Sequence, residues 1–350
     1  MPRNINLFTG QWVDLPFEEV CALAEQWGFD GLEVPVAGDH LDVYRADQDE
    51  AYCREWKDTL ARHNLSCYAI SNHSTGQAVC DDPIDFRHRG LLSDRVWGDG
   101  AAEGVRERAA AELALTTRVV ELTRASAQVS RDGSRIDDSD DARTVTGFTG
   151  SKIWKYVAMY PPVGSDVIAD GYEDFARRFN PIMDAFDEAG VTFALEVHPS
   201  EIAYDYWTTK ATLDAIGRRE AFGINWDPSH MIWQDLDPAV FLTDFADRIY
   251  HCHIKDTKTH FDGRNGRLSS HLPWDDPRRG WTFVSAGLGE ADIDGYLRTL
   301  NQIGYTGPVS IEWEDSGMDR LAGAPLALAH ARAHNHDLPK AAFDSHFGNR

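Results

Sequence analysis

Short apolar runs alternate along the chain with stretches whose apolar residues recur every three to four positions, the pattern of strands followed by helices in βα units. Residues 5–8 read as a first strand and 16–27 as a helix with Val20, Leu23 and Ala24 on its apolar face. Residues 31–36 predict a second strand, about 49–63 a helix, 65–70 a third strand, and the alanine-rich stretch 101–124 a long helix. A fourth strand over 144–150 precedes a helix over about 172–188, which Gly190 stops before a strand at 191–197. From there the rhythm is regular. Strands at 222–226, 249–254 and 309–313 alternate with helices at 208–217, 238–246, 293–303 and 321–334.

Eight strands with seven or eight helices, and no linker or composition shift between them, imply a single α/β domain over residues 1–350, one (β/α)₈ TIM barrel. Two connections are longer than such a barrel needs: the polar loop after strand three, to about residue 100, and residues 258–287 after strand seven, rich in Gly, Asp, Arg and Trp. Long loops in compact domains often serve as lids or binding segments. The polar, acidic stretch at about 129–142 reads as an exposed insertion, and residues from about 335 to 350 as a tail.

Charge narrows the partners. With 34 basic and 57 acidic side chains the net charge is −23, which repels phosphate backbones and anionic lipid, so neither nucleic acid nor membrane is expected as a partner. The first ten residues lack the apolar core of a signal peptide, and no run approaches the ~18 to 20 apolar residues that span a bilayer. A soluble, cytoplasmic protein is the expectation. The five cysteines, Cys21, Cys53, Cys67, Cys80 and Cys252, are odd in number and lack CxxC spacing, which suggests neither a disulfide framework nor a zinc knuckle. Alternation turns Cys252 away from the face shared by its neighbours His251 and His253.

Four apolar runs finish in side chains of metal-ligand type. FALEVHPSE ends in Glu196, with His198 two residues on and on the same face; INWDPSH ends in Asp227, with His230 beyond it; IYHCHIKD offers His251, His253 and Lys255 on one face; VSIEWED ends in Glu312. In a parallel barrel these positions lie at the C-terminal strand ends, where sites are built. Two glutamates, an aspartate and a histidine form a hard, oxygen-rich set suited to Mn²⁺, Mg²⁺ or Co²⁺, with Zn²⁺ also accommodated and Mn²⁺ favoured. Such an ion leaves room for a sugar carbonyl and its neighbouring hydroxyl, acidifies the adjacent C–H and stabilises an enediolate, while a carboxylate on each side moves the proton.

A single acid at a strand end can equally cap a helix or pair with an arginine; three acids and a histidine at four consecutive strand ends argue for a shared ion. His198 and His230 read as substrate contacts or as structural support. His251 lies deeper and reads as a buried, hydrogen-bonded residue, whereas Lys255 reads as a contact to a substrate hydroxyl or phosphate, or as a salt bridge. Trp226, Trp233, Trp274, Trp281 and Trp313 could stack on a sugar face or belong to the core. Asn72 and His73, in the loop after strand three, enlarge the pocket, and His73 joins the candidate substrate contacts.

The segments GFDGLEV, LEVHP, NWDPSH, HCHIKD and GLGEADIDGYLRTLNQIGYTGPVSIEWED resemble the sugar phosphate isomerase/epimerase superfamily of xylose-isomerase-like TIM barrels. The resemblance covers most of residues 5 to about 332 and is more specific in the second half. It implies Glu196, Asp227, His253 and Glu312 as metal ligands, Glu196 and Glu312 as the acid/base pair, and His230 and His198 as substrate contacts. The acidic insertion and the loops around His73 and Trp274 depart from the minimal pattern and bear on the substrate. The superfamily includes ketose 3-epimerases, hydroxypyruvate isomerases, inosose dehydratases, the catalytic subunits of C-glycoside deglycosidases and the endonuclease IV group, which resembles a three-zinc, more histidine-rich site that this chain does not match. The expected activity is a divalent-metal-dependent sugar isomerase or epimerase acting on a small sugar or glycoside. The alternative is a lyase, by β-elimination of the C-glycoside deglycosidase type from a 3-keto sugar or by inosose-type dehydration. Barrels of this kind often pair, so a homo-oligomer is expected, and the deglycosidase reading adds a small companion subunit.

Overall fold

The computed structural model describes residues 2–124, 143–157 and 160–337. The acidic stretch at about 129–142 and all but the first residues of the expected tail lie outside the described residues. Eight parallel strands close into a barrel: β1 (Ile5–Phe8), β2 (Gly31–Pro35), β3 (Ser66–Ser71), β4 (Thr144–Gly147), β5 (Thr192–Glu196), β6 (Phe222–Trp226), β7 (Ile249–Ile254) and β8 (Val309–Ile311). Their order around the barrel is β1-β8-β7-β6-β5-β4-β3-β2, and the last strand pairs with the first through Asn6 opposite Ser310. Each strand feeds one helix of the outer ring: α1 (Phe17–Trp27), α2 (Glu50–Arg62), α3 (Ala102–Arg124), α4 (Ser165–Ala189), α5 (Tyr206–Ala215), α6 (Pro238–Asp244), α7 (Ile293–Gln302) and α8 (Arg320–His334). The (β/α)₈ barrel expected from the alternation is the fold observed.

The helices are stopped and started by side-chain chemistry. Asp205 caps α5 by accepting from the Thr208 N–H while the Thr208 hydroxyl bonds back to the Asp205 N–H, a reciprocal capping box. Gly190 closes α4 in the left-handed conformation, φ 60°, which a side chain adopts only with strain. That helix begins at Ser165, earlier than its periodicity suggests, because its buried positions start only at Gly171 and Phe175. Phe175, Phe179 and Phe186 pack on Phe193 of β5 and Phe222 of β6, with ring centroids 5.1–6.3 Å apart. Burying each such ring contributes about 1.5–3 kcal/mol, which fixes the strands that carry the site.

The barrel interior is polar by contrast. Asn6, Glu33, Thr146, Asn225, His251, His253 and Ser310 are all buried. The Thr146 hydroxyl of β4 donates to Glu33 of β2 at 2.5 Å, and Nε2 of His251 on β7 lies 2.9 Å from the same carboxylate; these strands are not neighbours, so the groups meet across the barrel axis.

Both long connections carry structure. The segment after β3 folds into short helices, His73–Cys80, Phe86–Arg89 and Asp94–Trp97, too brief to leave a periodic signal. The segment after β7 is an antiparallel ribbon in which Asp256–Thr259 pairs with Trp281–Val284. The Asp256 carboxylate anchors its base by accepting the N–H groups of Thr257, Gly287, Gly289 and Ala291 at 2.8–2.9 Å. Only glycine fits at 289, where a Cβ would lie 2.2 Å from Asp256 Oδ1.

Candidate active site and metal centre

Glu196 is the last residue of β5, Asp227 follows β6, His253 is the fifth residue of β7 and Glu312 follows β8. Parallel strands deliver all four to the same end of the barrel, and one ligand-type atom from each lies within 4.8 Å of the others. All four side chains are buried. Asp227 uses Oδ1 to cap the short helix Pro228–Ile232 through the Ser229 N–H at 2.8 Å, which leaves Oδ2 turned to the cluster.

These residues fit a divalent ion. Asp227 Oδ2 and Glu312 Oε2 are buried without a hydrogen bond. Nitrogens stand close by, His230 Nε2 at 3.3 Å from Asp227 Oδ2, His253 Nδ1 at 2.9 Å and Lys255 Nζ at 3.3 Å from Glu312 Oε2, and Lys255 Nζ at 3.9 Å from Asp227 Oδ2, as charge contacts without hydrogen-bond alignment. Buried carboxylate oxygens left in that condition are costly, and a cation between the four side chains relieves the cost. Three carboxylates and one imidazole suit a hard or borderline dication.

Electrostatics separate the acids. Burial pushes the Glu196 carboxyl up, but the imidazoles of His230, His253 and His73 outweigh it and hold the group well below the usual carboxylate range. Burial acts on Glu312 in the same way, yet the Lys255 ammonium and His253 bring it down to about 2. For Asp227 burial prevails over His230 and Lys255 and the carboxyl is raised. Burial lowers His253, but Glu33 and Glu312 overcome it and raise the imidazole well above its ordinary value. An ion taking Nδ1 of His253 therefore competes with a proton.

The remaining expected contacts surround this core. His73 lies 3.1 Å from Glu196 Oε2 through Nε2 and 2.6 Å from the Ser71 hydroxyl through Nδ1. His230 Nε2 lies 3.2 Å from Glu196 Oε1. His198 sits edge-on to His230 with centroids 4.1 Å apart; burial and that neighbour push its imidazole down to about 3, so it is neutral. Lys255 is buried, with Nζ 2.8 Å from Glu314, 3.3 Å from Glu312 and 4.3 Å over the Phe283 ring, the salt-bridge arrangement of its two readings. His251 lies deeper, bonded to Glu33 and Ser310, as its position on β7 suggested. Trp226 and Trp313 are core residues that donate to Pro238 O and Ser285 Oγ, whereas Trp274 is 51% exposed and stacks on Phe283.

Ring contacts run around the mouth from Phe8 to His73, Phe148, His198, His230, Phe283 and Trp274, with centroids 4.1–5.8 Å apart. Glu33, Gln11 and Asn225 were not singled out from sequence. Gln11 reaches Glu312 and Glu314 at 3.4 and 3.3 Å, and Asn225 lies against His253. The signal for Glu33 was present: a carboxylate in the middle of the apolar run GLEVP must find partners inside the barrel.

Residues 21–334 match the sequence profile of the family described as a xylose isomerase-like TIM barrel. The chain belongs to that family. The uncharacterized protein YfiH of Bacillus subtilis is 25% identical over 320 residues, which are 88% of this chain and 92% of YfiH. Among solved structures, 3-keto-D-glucoside 4-epimerase YcjR of E. coli superposes with a TM-score of 0.62 at 14% identity, covering 95% of this chain and 99% of YcjR. The probable 3-DHS dehydratase AsbF of Bacillus anthracis gives 0.61 at 16% identity, covering 93% and 97%. At these identities the structural likeness is one of fold. No described helix is long and apolar enough to cross a membrane.

Proposed function

We propose that the protein is a divalent-metal-dependent sugar isomerase or epimerase that abstracts a proton beside a carbonyl and returns it to carbon. The observation that carries this reading is the set Glu196, Asp227, His253 and Glu312, brought within 4.8 Å with two carboxylate oxygens buried and unbonded. The ion, with Mn²⁺ favoured and Mg²⁺, Co²⁺ or Zn²⁺ compatible, supplies Lewis-acid polarisation of the substrate carbonyl and stabilises the charge that follows proton removal.

The chain's own groups do the rest. Glu196, kept anionic by His73 and His230, takes the C–H proton; Glu312, held by Lys255 and Gln11, serves the second proton position. His198 is neutral with Nδ1 unpartnered, and so offers a hydrogen bond to a substrate hydroxyl without adding charge. Lys255 is already paired by Glu312 and Glu314, which favours a sugar without a phosphate. The segment joining the arms of the ribbon brings the exposed Trp274 onto Phe283, adding an aromatic surface beside the site, and this favours one second reading: the same proton removal followed by loss of water or an aglycone from a 3-keto sugar. YcjR and AsbF, an epimerase and a dehydratase on this fold, bracket the two. We further propose a cytoplasmic homo-oligomer, with a small companion subunit in the second reading; none of the five cysteines is in a disulfide.

Incubation of the Mn²⁺-loaded protein in D₂O with free ketoses, aldoses and 3-keto-glucosides tests the reading. Deuterium is expected beside the carbonyl in one of them, and its absence from all would overturn the proposal. Release of water or aglycone without return of the proton would select the second reading.

A further inference from the structure

We propose that Glu33 is a positioning residue for the metal centre: by holding Nε2 of His253 it fixes the tautomer and ring orientation that aim Nδ1 at the ion. This rests on the metal-centre reading above. Glu33 lies in the middle of β2 and is fully buried, where a carboxylate persists only if both oxygens are bonded. Oε1 accepts from the Thr146 hydroxyl at 2.5 Å and lies 3.2 Å from His253 Nε2; Oε2 lies 2.9 Å from His251 Nε2 and 3.1 Å from His253 Nε2. Three strands, β2, β4 and β7, thus converge on one carboxylate.

The other edge of the His253 ring faces the opposite way. Its Nδ1 lies 2.9 Å from Glu312 Oε2 and 3.4 Å from Glu196 Oε2. In the neutral imidazole, a proton on Nε2 shared with Glu33 leaves the lone pair on Nδ1, directed at the acids. Phe8 stacks on the ring at 5.5 Å and 20°, and Asn225 Nδ2 touches it at 3.2 and 3.3 Å, so rotation about its axis is also restrained. A carboxylate behind a ligating imidazole sets both its tautomer and its basicity, and losing one typically weakens metal binding about 10- to 100-fold.

Glu33, His251 and His253 are themselves close enough to hold an ion. Their facing atoms, however, are bonded to one another and none is orphaned, whereas Asp227 Oδ2 and Glu312 Oε2 in the upper cluster have no hydrogen bond. The lower cluster is therefore the support and the upper one the ligand set.

Titration of the full-length protein with Co²⁺, followed by calorimetry and by the visible absorption of the bound ion, tests this without reference to any sugar. Glu33→Leu is expected to weaken Co²⁺ binding about 10- to 100-fold and to alter the spectrum, with Glu33→Gln, which keeps an acceptor but loses the charge, falling between it and wild type. Thr146→Val removes one bond that steadies Glu33 without touching the imidazole; it is expected to weaken binding several-fold, and it carries the test if Glu33→Leu does not fold. In the Zn²⁺-loaded protein, ¹⁵N imidazole shifts should place the His253 proton on Nε2. A merely structural role would lower thermal stability while leaving affinity and spectrum unchanged. Wild-type affinity and spectrum in both Glu33→Gln and Thr146→Val, or an ion on Nε2, would overturn the inference while the metal centre stands. Failure of wild type to bind Co²⁺ at all would overturn the metal centre and this inference with it.

Discussion

The strand ends of the two halves of the barrel carry different chemistry. From β5 to β8 they present Glu196, Asp227, His253 and Glu312, all of metal-ligand type and with one such atom from each within 4.8 Å of the others. From β1 to β4 they present Phe8, Ser71 with His73, and Phe148, with Glu33 deeper on β2, and these stack on, bond to or wall in the groups of the second half. One half supplies the groups that would do the chemistry; the other determines how those groups are aimed and what can reach them. A variant in the second half should therefore remove function, and one in the first half should retune it.

The greatest effect expected is from the ion itself. Chelation should abolish turnover and Mn²⁺ or Co²⁺ should restore it; because an ion that binds only the fold stabilises it by about 2.7 kcal/mol at a hundred times its Kd, reloading should also raise the melting temperature. Turnover that survives complete chelation, verified by elemental analysis, would break the comparison outright. Glu196→Gln comes next, with a fall of about 10²- to 10⁴-fold in the rate of deuterium exchange. Across the barrel, Phe148→Ala should raise KM roughly 3- to 10-fold through the loss of one ring contact, with kcat changed less, as steady-state kinetics would show. A kcat loss as large as that of Glu196→Gln would erase the distinction between the halves.

The effect expected to matter least for turnover, and to act on stability instead, concerns Glu201, five residues after Glu196 and equally buried, yet bonded to the Thr149 and Gly150 N–H groups of the β4 loop instead of to imidazoles. Burial, with Asp81 nearby, raises its carboxyl from its ordinary 4.5 to about 8. The proton is then held more tightly in the fold than in the unfolded chain. Stability should be unaffected by this group below about pH 4.5, decline as pH rises from there to about 8, and fall no further above it. Thermal melts of wild type and Glu201→Gln across that range should differ in slope, and equal slopes would show that the backbone bonds keep Glu201 charged.

How much of this was legible in the sequence follows the same division. Glu196, Asp227 and Glu312 each end an apolar run, so alternation alone sets them apart, and the family resemblance draws on the same stretches. The first half gave weaker signals. Glu33 sits mid-strand, and its partners Thr146 and His251 are 113 and 218 residues away, beyond any local pattern. The helices Phe86–Arg89 and Asp94–Trp97 are a single turn each, and the ribbon's arms are four residues long, shorter than the window in which periodicity can be read. Gln11 follows β1 in a short helical turn and meets Glu312 and Glu314 only because β1 closes the barrel against β8. Barrel closure, the least local feature of the fold, is what brings the two halves to one site.

The most direct test of the central claim is the anomalous diffraction of a Mn²⁺-loaded crystal combined with elemental analysis. One ion per chain is expected, bonded at roughly 2.0 to 2.2 Å to Glu196, Asp227, Glu312 and Nδ1 of His253. A chain that turns over its sugar with no ion among these four residues, or with the ion held elsewhere, would contradict it.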